Sequence, residues 1–246
     1  MESPVELTRS QVPKNHYDLI ASIYDFQRFG CRCGSILNEV ELNIARRLVA
    51  RDCKVLDVGT GTGRFAATLA GASSTTVAVD SSSRMISISA ARGDQSDSPR
   101  QVSYIVGDGA SLPFSAGSFD AVISVKVLSH FSNIDPFVSE MSRVLRRRGQ
   151  LIIDISNPLA ELYRHFFRNP SVQSYEDHFH TLPEVKRVFQ TNSIEISRRV
   201  TYSVLPLSLV HFALCPHPDV IPTNLLRSVI GTNRGLLTFV EGIKLK

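Results

Sequence analysis

Three aspartates in the first half of the chain stand where short β-branched runs end. Asp57 and Asp80 close two such runs, and Asp108 follows a third. Because the carboxyl ends of parallel strands meet at one edge of a sheet, we expect the three side chains to share that edge. Carboxylates attract cations and accept hydrogen bonds from hydroxyl groups, so a cationic ligand or a ribose would suit them. For Asp80 a simpler interpretation stays open, since an aspartate before serines also caps helices.

A glycine-rich turn follows the first of these aspartates. Gly59, Gly61 and Gly63 alternate with threonines and precede a segment of helical period. Glycine allows a sharp turn and lets a ligand approach the backbone where a Cβ would block it. Taken alone, the turn equally suits a tight connection between a strand and a helix.

A nicotinamide dinucleotide is one alternative ligand for such a turn. Its fingerprint, G-x-G-x-x-G, places a third glycine five positions after the first. Counting from Gly59, that position is Arg64. Asp57, just before the turn, would repel a pyrophosphate and suits a cation. The spacing therefore counts against a dinucleotide.

Short apolar runs alternate with segments of helical period from residue 54 onward, which predicts a doubly wound α/β domain with a parallel sheet. Strands are predicted at residues 55–58, 75–79, 102–106, 119–125, 150–155, 194–204 and 236–243. Helices are predicted at residues 35–50, 64–69, 84–91, 135–145 and 182–190. The last two strands are expected to extend the sheet at its edge.

The helix predicted at residues 135–145 carries signals at both ends. Asp135 and Pro136 are expected to supply its cap and first turn, and the arginines at 146–148 with Gly149 suit its end. This interpretation assigns the arginine run to a helix terminus rather than to a phosphate track. We therefore expect no nucleic-acid partner.

Four segments resemble, in order, the motifs of class I S-adenosylmethionine-dependent methyltransferases. They span residues 55–65, 77–86, 106–131 and 143–155. The similarity is greatest to the group that acts on small molecules, including the quinone-biosynthesis methyltransferases. The most specific stretch runs from Gly107 to Asp120, where glycine and an acid precede Leu-Pro-Phe and then Phe-Asp. The expected fold is a Rossmann-like, mostly parallel sheet of seven strands with the last antiparallel, plus helical cap segments.

The resemblance implies a site for S-adenosyl-L-methionine. The residues that it assigns to the cofactor are Tyr24, Asp57, Gly59, Thr60, Gly61, Asp80, Ser81, Met85, Gly107, Asp108, Gly109 and Val125. By this resemblance Asp57 lies near the amino group of the methionine part, Asp80 holds the ribose hydroxyls, and Asp108 accepts from the adenine amino group. Met85 packs near the adenine, and Gly109 lets the adenine approach the backbone. Tyr24 belongs to an N-terminal helix that closes over the cofactor.

The expected organisation is a single methyltransferase domain, residues 1–246. Residues 1–50 form helices that cover the cofactor, residues 54–155 form the core, and residues 156–182 and 206–235 form substrate-side caps. The caps are rich in aromatic residues and leucine, which favours a small, partly apolar methyl acceptor. The same side chains equally suit a core for the cap itself.

Four further side chains stand near the predicted acceptor side. His130 could act as a general base, or it is a structural histidine at a helix start. His178 and His180 could face the acceptor from the cap, and they lack a third ligand for a metal, so none is expected. Lys126 either attracts an anionic acceptor or is a solvated loop lysine.

Composition sets the remaining bounds. The 246 residues include 27 Lys and Arg against 23 Asp and Glu, a mild net charge of +4. The most apolar late stretch, residues 207–215, is far shorter than the roughly 20 residues of a membrane span. Without an N-terminal apolar leader we expect a cytoplasmic protein, and four cysteines do not make a disulfide framework. The remaining alternatives are a non-catalytic adenosylmethionine-binding scaffold and a nicotinamide-dependent oxidoreductase.

Overall fold

The structure, a computed structural model, describes residues 16–30, 32–94, 102–156, 178–202 and 237–246. These residues form one seven-stranded sheet with helices packed on both faces. Most of the caps predicted at residues 156–182 and 206–235 lies outside the described residues.

The elements follow the predicted alternation of strands and helices. The helices are α1 (His16–Ile20), α2 (Tyr24–Phe29), α3 (Arg32–Leu48), α4 (Arg64–Ala70), α5 (Ser83–Asp94), α6 (Asp135–Val144) and α7 (Leu182–Thr191). The strands are β1 (Lys54–Val58), β2 (Thr75–Asp80), β3 (Val102–Val106), β4 (Phe119–Ser124), β5 (Leu145–Ser156), β6 (Ile194–Tyr202) and β7 (Leu237–Lys244). A 3-10 turn, Leu128–His130, follows β4.

The strand order is β3-β2-β1-β4-β5-β7-β6. Strands β1 to β5 pair in parallel, and β7 runs antiparallel to both β5 and β6. This arrangement confirms the predicted fold class, a doubly wound Rossmann-like sheet of seven strands with the last antiparallel. Both late strands extend the sheet beyond β5, but β7 lies inside and β6 forms the edge.

Strand β1 shows why the sheet requires cover on both faces. All of its residues except Lys54 are buried. Since side chains alternate between the faces of a strand, Leu56 and Val58 join one apolar cluster and Val55 joins the other. Helices α6 and α7 pack on the first cluster, and α3 and α4 pack on the second.

The predicted end of α6 is wrong. The helix stops at Val144, and β5 begins at Leu145, which is fully buried and extended. The register between β4 and β5 shifts here, so the exposed arginines 146–148 lie in a bulge of the strand. Arg146 pairs with Asp120 at 2.8 Å, and Gly149 lies within the strand rather than ending a helix. Burial of Leu145 in the core outweighs the helix-end signal of the arginines.

The first turns of α6 and α7 differ. Asp135 does not cap α6, because its Oδ1 accepts a hydrogen bond from the side-chain amide of Asn192 at 2.9 Å. Pro136 does lie in the first turn of α6, as predicted. In α7, Thr181 and Glu184 form a complete capping box.

Candidate functional site

The sheet order reverses between β1 and β4, because the chain adds β2 and β3 on one side of β1 and then returns to the other. Open α/β sheets bind ligands at the carboxyl ends of their strands beside such a switch point. Asp57 lies near the end of β1, Asp80 is the last residue of β2, and Asp108 follows β3. The structure thus confirms that the three aspartates share one edge.

The glycine-rich loop leaves an open space at its tip. Gly59, Gly61 and Gly63 all have positive φ angles, of 71°, 55° and 81°. A Cβ on Gly59 would lie 2.2 Å from a methyl carbon of Val127, so no side chain fits there. A Cβ on Gly61 would meet nothing within 4 Å. The loop is therefore tightly packed at its start and open at its centre, where a ligand can approach the backbone.

Four backbone N–H groups of this loop have partners inside the protein. Gly59 and Thr60 both donate to the carbonyl of Val79, at 2.8 and 3.0 Å. Gly61 donates to Asp80, and Gly63 donates to the carbonyl of Thr60. A dinucleotide pyrophosphate needs free N–H groups at such a turn. The loop is built to pack against a ligand rather than to hold a phosphate.

Asp57 is the buried centre of the loop. Its side chain is 1% exposed, and its Oδ2 accepts from the Thr60 hydroxyl at 2.7 Å and from the Ala66 N–H at 3.1 Å. Burial raises the pKa of Asp57 to about 6, although these two hydrogen bonds oppose the shift. Asp57 therefore shapes the loop as well as placing a carboxylate beside it.

Asp80 connects the ends of β1 and β2. Its Oδ2 accepts from the N–H of Gly61 at 2.8 Å, and its Oδ1 accepts from the N–H of Ser82 at 2.9 Å. Burial raises the pKa of Asp80, and the nearby charge of Asp18 acts in the same direction. Each carboxylate oxygen keeps a second lone pair, so a ligand hydroxyl can bind to it as well. The cap of α5 is formed by Ser82, whose hydroxyl accepts from the N–H of Met85 at 3.1 Å.

Asp108 and Gly109 stand in a tight turn after β3. Asp108 is exposed, and its Oδ1 accepts from the N–H of Ala110 at 2.9 Å. A Cβ on Gly109 would lie 3.0 Å from Val58 and 3.1 Å from Phe137. Gly109 thus makes room for packing between β1 and α6, a role that the sequence did not indicate.

The remaining predicted cofactor residues surround the same edge. Met85, in the first turn of α5, is 1% exposed, and Val125, just after β4, is 6% exposed. Ser81 is exposed between β2 and α5, and Gly107 donates its N–H to the carbonyl of Asp80 at 2.9 Å. Their roles toward a ligand stay predictions.

Helix α1 contacts both sides of this edge. The Oδ1 of Asp18 accepts from the Ser82 hydroxyl at 2.5 Å and from the Arg84 N–H at 3.2 Å, next to the end of β2. These hydrogen bonds lower the pKa of Asp18. The hydroxyl of Tyr17 lies 2.6 Å from Nε2 of His130, beyond the end of β4. Helix α1 therefore spans the crevice between the ends of β2 and β4.

Helix α2 is also attached to the core by side-chain contacts. Asp25 forms an ion pair with Arg92 of α5, and its Oδ1 accepts from the hydroxyl of Thr62 at 2.7 Å. The ring of Tyr24 makes an edge contact with the ring of Tyr17 at 6.2 Å. Tyr24 is half-buried beside Tyr17, and its role toward a cofactor stays a prediction.

Sequence reasoning missed Tyr17, Asp18 and Asp25 as site residues. A signal for them exists, because the dipeptide Tyr-Asp occurs at residues 17–18 and again at residues 24–25. A spacing of seven residues is two helical turns, which places both pairs on one face of a helical segment. The repeated pairs are the residues that attach α1 and α2 to the core.

The charge of Lys126 is paired with two carboxylates, which neither interpretation of the sequence anticipated, and its side chain is 19% exposed. Its Nζ lies 3.2 Å from Oδ2 of Asp154 and 3.5 Å from Oε1 of Glu41. Its backbone N–H donates to Oδ1 of Asp154 at 2.7 Å. Glu41 also pairs with Arg64 at 3.3 Å. Both carboxylates are buried. These four side chains, termed the buried ion cluster, connect α3, α4, β5 and the residue after Val125.

The two histidines of the predicted cap occupy different positions. His180 is buried, and both of its ring nitrogens face groups of the protein. His178 donates its backbone N–H to the carbonyl of Ser129 at 2.7 Å. Within the described ranges, no group of three or more His, Cys, Asp or Glu side chains could hold a metal ion. In the same ranges no helix has both the length and the apolar character to cross a bilayer.

Comparison with known proteins gives consistent results. Residues 56–153 match a family model described as "Methyltransferase domain". A demethylmenaquinone methyltransferase of Tropheryma whipplei (strain Twist) is 34% identical over 119 residues, which are 47% of this chain and 48% of that protein. The chain therefore aligns with about half the length of this relative.

Solved structures extend the similarity to most of the chain. The magnesium protoporphyrin IX methyltransferase (ChlM) from Synechocystis PCC 6803, solved with bound SAH, has a TM-score of 0.64 at 16% identity. The alignment covers 94% of this chain and 95% of that one. The [4+2]-cyclase SpnF has a TM-score of 0.62 at 14% identity, with 96% and 99% covered. At these identities the similarity establishes the fold.

Proposed function

Because residues 56–153 match a methyltransferase-domain model, we propose that the chain is a class I S-adenosylmethionine-dependent methyltransferase that moves the methyl group of S-adenosyl-L-methionine to a small, partly apolar acceptor. When bound, the cofactor supplies a methyl group on a sulfonium, which is a strong leaving group. The protein then has to position the reactants in line and exclude water.

One observation carries this proposal: the hydrogen bond that joins Gly61, at the open tip of the loop, to Asp80. The space above Gly61 is clear, and the N–H of the same glycine fixes Asp80 at 2.8 Å. A ligand that combines a flat adenosyl part, two ribose hydroxyls and a cationic amino acid part fits this cradle. Asp80 would accept from the hydroxyls, and Asp57 would attract the amino group. Asp108, exposed at the edge, keeps lone pairs for the adenine amino group.

We name the loops after β1, β2 and β3 the donor end. The acceptor end is formed by Lys126, Asp154 and the turn of residues 128–131, termed the His130 turn. Helix α1 contacts both ends, and α2 is attached beside the donor end through Thr62, which supports the proposal that residues 1–50 cover the cofactor. Residues 54–155 would form the core of a single domain.

The pair of Tyr17 and His130 supplies acid–base chemistry where an acceptor must lose a proton. Their 2.6 Å contact places a phenol hydroxyl and an imidazole at the acceptor end. The hydrogen-bonded pair would take the proton of the acceptor, with the Tyr17 hydroxyl and the His130 imidazole acting together. An acceptor that is already nucleophilic needs only the positioning.

The acceptor class is proposed from relatives. The aligned protein of T. whipplei is a demethylmenaquinone methyltransferase, so a substituted quinol is the first acceptor to test. In the decisive assay, purified chain receives methyl-labelled S-adenosylmethionine and a short-chain demethylmenaquinol, and labelled product is followed by mass spectrometry. A broader panel of phenols and amines follows a negative result with the quinol.

A second candidate function is a non-catalytic scaffold that binds the same cofactor, because the fold also occurs in the [4+2]-cyclase SpnF and so does not by itself establish methyl transfer. Donor binding without turnover over the whole panel would favour it. A thermal-shift screen with S-adenosylmethionine, S-adenosylhomocysteine and NAD tests both candidates. If neither adenosyl compound raises the melting temperature at high concentration, both are wrong. A shift with NAD alone would favour an oxidoreductase.

A further inference from the structure

A buried histidine lies against the turn that carries His130. The Nε2 atom of His180 is 3.1 Å from the carbonyl oxygen of Leu128 and 2.9 Å from that of Phe131. Carbonyl oxygens only accept, so Nε2 is the donor in both contacts. These two carbonyls lie on either side of His130 in the chain, and a single N–H group holds them together.

The position of His180 is itself fixed. Its Nδ1 lies 3.0 Å from Oε1 of Glu184, one helical turn further along. The other oxygen of Glu184 lies 3.4 Å from the N–H of Thr181 in the capping box of α7. The backbone N–H of His178 adds a third contact to the turn through Ser129. The start of α7 therefore presents the imidazole to the His130 turn as a rigid unit.

The opposite side of the turn contains the candidate catalytic pair. The ring of His130 lies against Tyr17, with ring centres 5.6 Å apart and the hydroxyl 2.6 Å from Nε2. A displacement of the turn would change this contact directly. A hydrogen bond weakens steeply once its length or angle departs from the preferred range.

We propose that His180, fixed by Glu184, is a positioning residue for His130. It ties the carbonyls of Leu128 and Phe131 together and thereby keeps the His130 ring against Tyr17. The catalytic meaning of this placement rests on the proposed function, but the placement itself is measured without any methyl acceptor.

The test uses the full chain with ¹⁵N-labelled histidine. Ring signals of His130 are assigned by their loss in His130→Gln. In His180→Leu the two carbonyls lose their donor, so we expect the His130 ring signals to shift and broaden. In His180→Gln an amide N–H can replace Nε2, so the signals stay near their wild-type positions. Affinity for S-adenosylhomocysteine stays within about twofold in both variants, because His180 does not touch the donor end.

A matched control separates positioning from general destabilisation. The hydroxyl of Ser142 donates to the carbonyl of Asn192, the residue after α7, at 2.9 Å. Ser142→Ala weakens the far end of the same helix, so the melting temperature falls while the His130 signals stay unchanged.

Glu184→Ala provides a second route if His180→Leu does not fold. It leaves His180 in the protein but removes its anchor, and the same His130 signals should move by a smaller amount. If His180→Leu folds and its His130 signals are unchanged, the proposal is wrong. If His180→Leu does not fold, unchanged His130 signals in Glu184→Ala would overturn it. Absence of donor binding by the wild type would refute the proposed function and leave this result standing.

Once an acceptor is found, the positioning role has a kinetic signature. His180→Leu should lower kcat by about tenfold to a hundredfold with little change in the donor KM. His180→Gln should recover most of that loss. A fall in donor affinity with unchanged kcat would contradict a role at His130.

Discussion

At the donor end, Asp57 and Asp80 are held by hydrogen bonds from their own loops or from the adjacent strand end. The acceptor end is held by segments that lie far away in the sequence. Asp57 bonds to Thr60 three residues later, and Asp80 bonds to Ser82 two residues later. At the acceptor end, Tyr17 contacts a residue 113 positions away.

The two ends therefore differ in the sequence separation of the contacts that hold them. A site made of short-range contacts persists as long as its strand and loop form. A site made of long-range contacts depends on how covering helices pack. The family match, residues 56–153, includes the donor end, Lys126 and the His130 turn, but not the segments that cover the acceptor end, namely α1, α3 and the start of α7. We therefore expect donor-end variants to affect cofactor affinity and acceptor-end variants to affect stability and turnover.

The largest effect is expected for Asp80→Ala. The variant removes the acceptors for two ribose hydroxyls and for the Gly61 N–H. Charge-assisted hydrogen bonds contribute about 1.5–3 kcal/mol each, so affinity for S-adenosylhomocysteine should fall by more than about a hundredfold in calorimetry. Asp94→Asn, at the exposed end of α5, is the control and should bind normally. Equal affinity in the two variants would remove Asp80 from the site.

The buried ion cluster should give the largest effect on stability. Lys126→Met leaves the buried carboxylates of Asp154 and Glu41 without their shared cation. Breaking such a pair costs about 3 kcal/mol in the free energy of unfolding, measured by urea denaturation. Lys186→Met, on the exposed face of α7, controls for the loss of a lysine and should change little.

A double variant sharpens this result. In Lys126→Met with Asp154→Asn the uncompensated charge of Asp154 is gone, so part of the lost stability should return. Strictly additive losses would show that the two side chains do not interact in solution. Donor affinity should be unaffected in the single variant, because the cluster lies at the acceptor end.

Donor affinity should depend on pH through Asp57. Its pKa is raised by burial to about 6, so lowering the pH from 7 to 5 takes the carboxylate from mostly charged to mostly protonated. A protonated carboxyl no longer attracts the donor amino group, so affinity should fall by about tenfold over this range. Asp57→Asn should bind weakly at both values. A pH dependence that survives in Asp57→Asn would assign it to another group, of which Asp80, with its raised pKa, is the first to test.

The raised pKa of Asp57 also makes the stability of the fold depend on pH. A carboxyl whose pKa is higher in the folded state than in the unfolded chain stabilises the protein at low pH, and this contribution is lost as the pH rises from about 4 to 6. The difference in unfolding free energy between the wild type and Asp57→Asn should therefore change with pH in that window and be constant above it.

The smallest effect is expected for Tyr17→Phe. The variant removes one hydrogen bond to His130 and keeps the ring, so the unfolding free energy should fall by about 1 kcal/mol. Tyr24→Phe is the matched control, since no hydrogen bond joins the Tyr24 hydroxyl to another residue in the described ranges. A Tyr17 variant as stable as the control would mean that α1 does not hold the turn.

The sheet, the glycine-rich loop and the edge at which the three aspartates meet were all predictable from the residue pattern. Each of these follows from short-range patterns, namely strand-length apolar runs, glycines at positive φ and acids where strands end. Even there, local signals failed at 146–148, because burial of Leu145 extended a strand that the arginines had marked as a helix end.

The roles of the isolated polar residues became visible in the folded chain alone. Lys126 and His180 have no local pattern that reveals their partners, since Glu41 and Leu128 lie far away along the chain. The reason is physical: a buried charge or imidazole must find partners, but any covering segment can supply them. Which segment does so is set by the packing of α3 and α7 on the sheet.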